Sequence, residues 1–537
     1  MTEQPDGPPN GLRSRIRPVT LALLLVGLNL ILGFLLFDPA LFTGGDNARY
    51  MILADAVRTG EGYRDLYLPG SPLHTKYPPG YPMLLAGLGF LGDLQLFKVA
   101  SVFLSAGTVW LTYVLAWRLH GVGIGLLATA LVAVNPVGLE YSHLVLSEAL
   151  FGLIVVACLA AYTRRDGRDE GRDVGWLVVV LAAAAFLTRT AGLALAAAVV
   201  GLLAYAAIRR RSLRAWLPVL GLAGVIGGWF VYQRIGAPGG PGYLGELLLV
   251  NPYEPEAGRL TVAGVFSRAA VNFWQYLTSS FPRLLAGAAE LNAAAVGLGI
   301  IAGAAVLAGW LAEAAARVRL TTVFLPVYIM LILLWPSVWT DARFLLPVWP
   351  LLAIYSLAGA RSVSARLWPG TGSAAIAIVT VLFLGLGAIS THRRVPVRRA
   401  CQIAWHHGEA CLGEGYAELL RVAAWARDNT PVDAIVANRQ PALFYLGSGR
   451  QGTVYTFSSA PEIVLRDLEN MRATYVLLDR TSVTTLLYLA PAIEANPDRF
   501  RPVFQAGSTI LLELLYGQEA RASHGSGTGL TLATLGR

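Results

Sequence analysis

The sequence predicts a polytopic α-helical membrane protein of about eleven transmembrane helices, with a small C-terminal extracytoplasmic α/β domain. Three observations predict this class. Of the 537 residues, 55% are hydrophobic and only 14% charged, where soluble domains carry about 25% charged residues. Mean hydropathy is correspondingly high, at +0.56. Apolar runs long enough to cross the hydrocarbon core recur down to residue 390. Arginines cluster between those runs, so the net charge of +9 reads as membrane anchoring and nucleic acid is excluded as a partner.

The elements follow in order. Residues 1–17 form a cytoplasmic tail in which Arg13, Arg15 and Arg17 precede the apolar stretch from Val19 to Phe37. That stretch is too long for a signal-peptide core and lacks a small-x-small cleavage site, so it reads as an anchor that stays in place. The eleven runs lie at 18–37, 96–117, 121–137, 147–163, 174–188, 191–208, 215–232, 291–312, 320–336, 345–360 and 372–390. If each crosses, Arg118, the Arg164–Arg168 turn, Arg209–Arg211 with Arg214, Arg317 with Arg319, and Arg361 with Arg366 share the side of the N-terminal arginines. That side is predicted to be cytoplasmic. An odd number of crossings then places residues 391–537 outside.

Two outer loops are long, 38–95 and 233–290. The first carries Tyr50, Leu53, Ala54 and Val57 at helical spacing, a helix expected to lie flat on the membrane surface. The second opens on the breaker-rich stretch Gly236–Gly242 and has an amphipathic segment near Phe266–Leu277. Residues 391–522 are expected to form the α/β domain, with a helix at Tyr416–Arg427 and strands at Ala434–Asn438, Val454–Phe457, Tyr475–Asp479 and Phe504–Leu515. The tail 523–537 is expected to be disordered. Gly447–Gly452 matches GxGxxG, but a strand-like segment follows where a dinucleotide fingerprint needs a helix, so a hairpin turn is expected. Cys158 reads as a packing residue, whereas Cys401 and Cys411 are open to a disulfide on the outer side.

Chemistry gathers at one lip of the membrane. Asp46, in Gly44-Gly45-Asp46-Asn47-Ala48-Arg49-Tyr50, has two readings: N-cap of the helix that follows, or general base where headgroups meet water. Glu148, in Leu146-Ser147-Glu148-Ala149-Leu150, opens the fourth run and likewise reads as a first-turn acid or as a second carboxylate facing the same cavity. Glu140 and His143 are lesser candidates. The cationic set is Arg49, Arg64, His74, Lys76, Arg189 and Arg343, and Lys76 and Lys98 are the only lysines. Lys76 stands in the stiff turn His74-Thr75-Lys76-Tyr77-Pro78-Pro79-Gly80-Tyr81-Pro82. Arg343 has the intraloop alternative of an ion pair with Asp341. Together these cations go against the positive-inside tendency and favour an anionic ligand such as a phosphate. Arg49, Tyr50, Tyr77 and Tyr81 are candidates for lining the substrate cavity.

At these residues the chain resembles membrane glycosyltransferases of the GT-C fold. It is similar to the protein O-mannosyltransferase and aminoarabinose transferase superfamily, in particular its bacterial RgtA/B/C/D-like branch. The resemblance rests on Gly45–Tyr50, Lys76-Tyr77-Pro78-Pro79-Gly80, Ser147–Phe151, Thr188-Arg189 and Arg343-Phe344-Leu345-Leu346-Pro347, in that order across residues 18–390. It implies a hexosyl- or pentosyltransferase of the bacterial inner membrane. A polyprenyl-phosphate-linked sugar is the implied donor, and a lipid, polysaccharide or protein hydroxyl on the extracytoplasmic face the acceptor. It implies Asp46 as the catalytic carboxylate, with Glu148 as a second acid and Lys76 and Arg343 toward the donor phosphate, to which the cationic reading adds Arg189 and His74. One base and direct displacement imply inversion. No cofactor is demanded, and a divalent cation held by Glu148 with Asp46 stays open. The chain departs from the eukaryotic mannosyltransferases in its single aspartate and in lacking their inserted domain, which puts a protein acceptor in doubt. The alternative is a transporter or flippase of lipid-linked sugars, for which inverted repeats and mid-membrane polar residues would be expected.

Overall fold

The computed structural model describes residues 10–41, 46–89, 94–163, 175–237, 242–287, 292–407 and 411–516. Gly44 and Gly45 of the polar motif, the arginines at 164–168, the middle of the Gly/Pro stretch at 238–241 and the tail at 523–537 lie outside the described residues. The chain divides into two compact units. One comprises Met1–Asp38, Leu94–Val231 and Val265–Gln402, the other Pro39–Asp93, Tyr232–Gly264 and Ile403–Arg537.

The first unit is helical throughout. Among the described residues, seven helices are long and apolar enough to cross a membrane: Arg17–Leu35, Leu94–His120, Thr190–Arg210, Leu213–Gly236, Ala293–Ala316, Ala342–Leu367 and Gly372–His406. The four remaining predicted runs are the shorter apolar helices Val122–Ala133, Glu148–Thr163, Trp176–Thr188 and Leu320–Leu333. Their ends have local causes. The run predicted to reach residue 137 stops at Ala133 because Pro136 starts a new helix, capped by Asn135, whose side chain accepts from the Gly138 amide at 2.7 Å. The helix predicted to end near 390 continues to His406, and its extension is tied down by side chains. Arg394 donates to Glu140 at 2.8 Å and to the Gly287 carbonyl at 2.6 Å, and Arg398 pairs with Asp38.

Small residues set the tightest packing. A Cβ at Gly309 would strike the Tyr355 carbonyl, and one at Gly359 would strike the Ala305 carbonyl. The helices Ala293–Ala316 and Trp349–Leu367 therefore meet backbone to backbone, the way small residues bring membrane helices together.

The second unit contains a five-stranded sheet: β1 Ile435–Ala437, β2 Gln451–Thr453, β3 Tyr475–Leu478, β4 Phe500–Ala506 and β5 Thr509–Leu514, in the order β2-β1-β3-β5-β4. β1 runs parallel to both β2 and β3, while β5 is antiparallel to β3 and β4. Two strand expectations are corrected. β2 lies at 451–453 rather than 454–457, because a Cβ at position 452 would come within 2.6 Å of the Val436 carbonyl and only glycine lets the strands pair there. The run 504–515 is two strands joined at Gly507, whose φ of +60° makes the reversal. Nor is Gly447–Gly452 a hairpin turn. Gly449, at φ +67°, ends the helix Pro441–Ser448 and the chain passes directly into β2.

The apolar face of the helix Asn47–Arg58, expected against a membrane surface, is buried, with Tyr50, Leu53 and Ala54 all covered. Ala48 and Ile52 share a buried cluster with Leu419, Val422, Phe444 and Leu477, so protein covers it. The second amphipathic segment is the helix Val262–Gln275. Cys401 and Cys411 are disulfide-bonded and Cys158 is free and buried.

Candidate functional site

The predicted site residues fall into two groups, one in each unit. In the sheet-containing unit, Asp46 is the residue before the helix Asn47–Arg58, yet its side chain makes no capping hydrogen bond. Its Oδ1 instead accepts from the Tyr77 hydroxyl at 2.6 Å. Arg49, one turn into the helix, donates to the same hydroxyl at 3.3 Å. Burial works against the charge on Arg49, but Tyr77, Tyr67 and Asp46 outweigh it and the guanidinium is held more firmly protonated than usual. Burial and the neighbouring Asp46 carboxylate push the Tyr77 phenol well above its ordinary value, so it stays a proton donor. Tyr50 packs against Tyr77 and edge-on to Tyr81, with ring centroids 5.1 and 5.0 Å apart. Asp46 and the four predicted lining residues thus form one aromatic, hydrogen-bonded group.

The turn that carries Tyr77 is rigid for an identifiable reason. The Tyr77 amide donates to His74 Nε2 at 2.7 Å, so that nitrogen bears no proton. His74 Nδ1 therefore carries the proton and lies 2.8 and 3.0 Å from the two carboxylate oxygens of Asp65. Both ring nitrogens are used within the turn and the residue is 3% exposed. His74, expected toward the phosphate, thus has both ring nitrogens on protein partners. Tyr63 adds a hydrogen bond to the Tyr77 carbonyl at 2.9 Å, and Gln233 one to the Thr75 carbonyl at 2.6 Å. Arg64 is used locally, donating to the Ser71 carbonyl at 3.0 Å.

Lys76, on the same turn, is paired. Its Nζ lies 2.9 and 2.8 Å from the two carboxylate oxygens of Glu246, and each side chain is about a third exposed. Sequence reasoning missed Glu246, Asp65 and Tyr63. Glu246 stands 170 positions from Lys76 in a segment without a motif, and no pattern points to it.

In the helical unit, Glu148 is the first residue of the helix Glu148–Thr163 and is 5% exposed. Arg189 reaches its Oε1 at 2.8 Å and the Ser147 hydroxyl at 3.0 Å. Arg343 lies 3.9 Å from the same carboxylate oxygen. Both guanidinium groups sit by the Phe344 ring, 5.5 and 4.9 Å from its centroid. Asp341 accepts from the backbone amide of Arg343 at 2.7 Å, as the cap of its own turn. Glu148 lines a cleft of the unit together with Tyr141, Ser142, Gly152, Leu346 and Trp349. Of the lesser candidates, Glu140 is engaged by Arg394, and His143 is fully buried and kept neutral, its pKa lowered to about 3 by burial and then by Lys98 and Arg398. Among the described residues, no three His, Cys, Asp or Glu side chains gather where they could hold a metal ion.

Solved membrane proteins share the fold. The oligosaccharyltransferase AglB of Archaeoglobus fulgidus, in complex with an inhibitory peptide and a dolichol-phosphate, aligns over 94% of this chain and 74% of its own at 13% identity, with a TM-score of 0.52. The oligosaccharyltransferase of the same organism in complex with Zn and sulfate aligns over 92% of this chain and 73% of its own at 13% identity, with a TM-score of 0.55. ArnT of Cupriavidus metallidurans bound to undecaprenyl phosphate aligns over 91% of this chain and 97% of its own at 14% identity, with a TM-score of 0.52. No family model and no curated protein matches the chain. Identities this low speak for the fold alone: the chain is a multi-pass membrane protein with the GT-C fold and a small C-terminal sheet, as the motif resemblance implied.

Proposed function

We propose that this protein is an integral membrane glycosyltransferase that moves a sugar from a polyprenyl-phosphate donor to an acceptor hydroxyl on the extracytoplasmic face, with inversion. The observation that carries the reading is Asp46. Its carboxylate stands at a helix start without capping it, and is fixed instead by Tyr77 at 2.6 Å. A capping role would have used those oxygens on the helix's own amides. The likeness to proteins solved with undecaprenyl phosphate and with a dolichol-phosphate supports a lipid-phosphate substrate.

In this reading Asp46 takes the proton of the acceptor hydroxyl as that oxygen forms its bond to the anomeric carbon. The bond from that carbon to the phosphate oxygen breaks, and the lipid phosphate leaves with the electron pair. Fixed cations stabilise the charge that develops on it. Lys76 is assigned that role, exchanging Glu246 for the phosphate. Arg189 and Arg343 are the fixed cations of the helical unit and are assigned to an anionic substrate group by their chemistry. Glu148, facing two guanidinium groups, is better suited to hold them in place than to bind a divalent ion. We assign the reaction no metal.

The test is an Asp46→Asn exchange in a strain lacking the wild-type protein, read by mass spectrometry of lipid-linked sugars and envelope glycans. Normal membrane insertion, loss of one glycan modification and accumulation of a lipid-linked sugar are expected. Unchanged modification by a well-inserted variant removes Asp46 from catalysis.

A further inference from the structure

The parallel part of the sheet has a reversal in strand order. From β1 the chain moves to β2 on one side, then crosses back over β1 to β3 on the other. In open α/β sheets the crevice outside the carboxyl ends of the strands at such a point is where ligands bind. Here the residues just beyond β1 and β3 are Arg439 and Asp479, and each keeps a polar atom that nothing satisfies.

Asp479 is 1% exposed. Its Oδ1 accepts from the Thr481 amide at 2.7 Å and from the Thr481 hydroxyl. Its Oδ2 has no hydrogen-bond partner and is closed to solvent. Burial pushes this carboxyl above its usual range, although Thr481 and the charge of Arg439 act the other way. An unsatisfied buried acceptor is costly, and a ligand that donates to it removes that cost. Arg439 lies near enough to act on the Asp479 charge, but the two form no ion pair. Its guanidinium carbon sits 5.6 Å from the ring centroids of both Tyr253 and Phe457, and its buried Nε has no partner.

The stretch 253–256 roofs these strand ends. Tyr488 donates to the Tyr253 carbonyl at 3.0 Å, and Glu256 accepts from Ser458 and Ser459 at 3.0 and 3.2 Å. Phe457 also stacks on Tyr488, with centroids 5.4 Å apart. The bonds that Glu256 accepts lie toward the exposed surface, where a ligand can displace them.

We infer that the carboxyl ends of β1 and β3 form a binding site for a sugar residue, held between Asp479 and Arg439 against the faces of Tyr253 and Phe457. A spare acceptor, a spare donor and partly exposed aromatic rings match a pyranose, which offers hydroxyl protons, hydroxyl oxygens and an apolar C–H face. An anion would be repelled by Asp479, and an apolar ligand would leave both polar atoms unpaired. A nucleotide lacks its phosphate cradle, since Gly447–Gly452 leads into a strand rather than a helix. The site suits the holding of a glycan, and it stands whether or not Asp46 is catalytic.

The test uses the full-length protein in lipid nanodiscs and saturation-transfer difference NMR with mannose, glucose, N-acetylglucosamine and arabinose as probes. At least one sugar is expected to receive saturation from the wild type and from Asp46→Asn, and at least tenfold less from Asp479→Asn and from Arg439→Leu. Tyr253→Ala, a change in the roof that leaves the sheet core intact, is expected to weaken the signal as well and guards against a folding artefact in the other two. No signal with any of the four sugars overturns the proposal. A signal that survives Asp479→Asn, or one lost only in Asp46→Asn, overturns it too by placing the sugar elsewhere.

Discussion

The Tyr77 hydroxyl donates to Asp46 Oδ1 across 2.6 Å and 31 positions of sequence. A phenol so placed keeps the carboxylate aimed. If Asp46 is the base, Asp46→Asn should cost at least the factor of about 10²–10⁴ typical of a general base. Tyr77→Phe should cost less, about tenfold, and appear in kcat rather than in KM, because the carboxylate remains but loses its orientation. Steady-state kinetics with a lipid-linked sugar separates the two. Equal losses in both variants would mean that Tyr77 itself handles the proton.

The same pair makes a pH prediction. The phenol pKa is raised, so the neutral, donating form is the one the fold favours, and ionisation is displaced to more alkaline pH. Tyr77 therefore stays protonated up to at least pH 10, the ordinary phenol value, and contributes no alkaline loss of activity below it. Wild type and Tyr77→Phe should show the same alkaline limb in a pH–rate profile. A limb present in the wild type and absent from the variant contradicts the assignment.

Lys76 is held by Glu246. Partly exposed ion pairs are worth about 0.2–1 kcal/mol, so removing the competitor should help the ligand by that amount. Glu246→Gln is expected to tighten undecaprenyl phosphate binding by about 1.4–5-fold, the equivalent of that range. Lys76→Gln is expected to weaken it. Titration in nanodiscs at low and high salt measures both, and the gain from Glu246→Gln should shrink as salt screens the pair.

The parts of this arrangement were unequally visible in the sequence. The helical class was legible because each crossing is a continuous apolar run and the arginines punctuate them, signals that need no tertiary information. Asp46, Tyr77 and Lys76 were legible as members of short polar motifs in an apolar chain. What joins them was not. Whether Asp46 caps a helix or faces Tyr77 is decided by a side-chain rotamer, and Glu246 reaches Lys76 only through the fold. The sheet shows the same division. Val454–Phe457 alternates like a strand, but the ladder forms at 451–453, where Gly452 admits the Val436 carbonyl. Asp479 and Arg439 stand outside every motif and become notable only through the atoms they leave unpaired.

His74 was read from its position as a phosphate contact, and its geometry predicts otherwise. With Nδ1 on Asp65 and Nε2 accepting the Tyr77 amide, replacement should loosen the turn rather than remove a ligand. His74→Ala is expected to cost about 1–3 kcal/mol of stability, the penalty for stranding buried partners, seen as a lower melting temperature in detergent. Asp65→Asn should act in the same direction. Undecaprenyl phosphate affinity of the folded fraction should change little. A large loss of affinity without a change in melting would return His74 to the phosphate.

Glu148 and Arg189 provide the last prediction, because a double-mutant cycle can distinguish a structural pair from two independent ligands. The carboxylate is 4% exposed and Arg189 lies 2.8 Å from it, with Arg343 at 3.9 Å. Removing one member of such a pair leaves the other charge buried and uncompensated, at a cost of about 3–5 kcal/mol. Glu148→Leu and Arg189→Met should therefore each melt well below the wild type, Glu148→Leu the lower of the two because two guanidinium groups lose its charge. The double variant should recover part of the loss, since neither charge is then left alone. Additive losses would mean that the two side chains do not depend on each other, and Glu148 would then be open again as a ligand in its own right. Chelation of divalent ions supplies the cross-check: with Glu148 committed to arginine, EDTA should leave both the melting temperature and the transfer rate where they were.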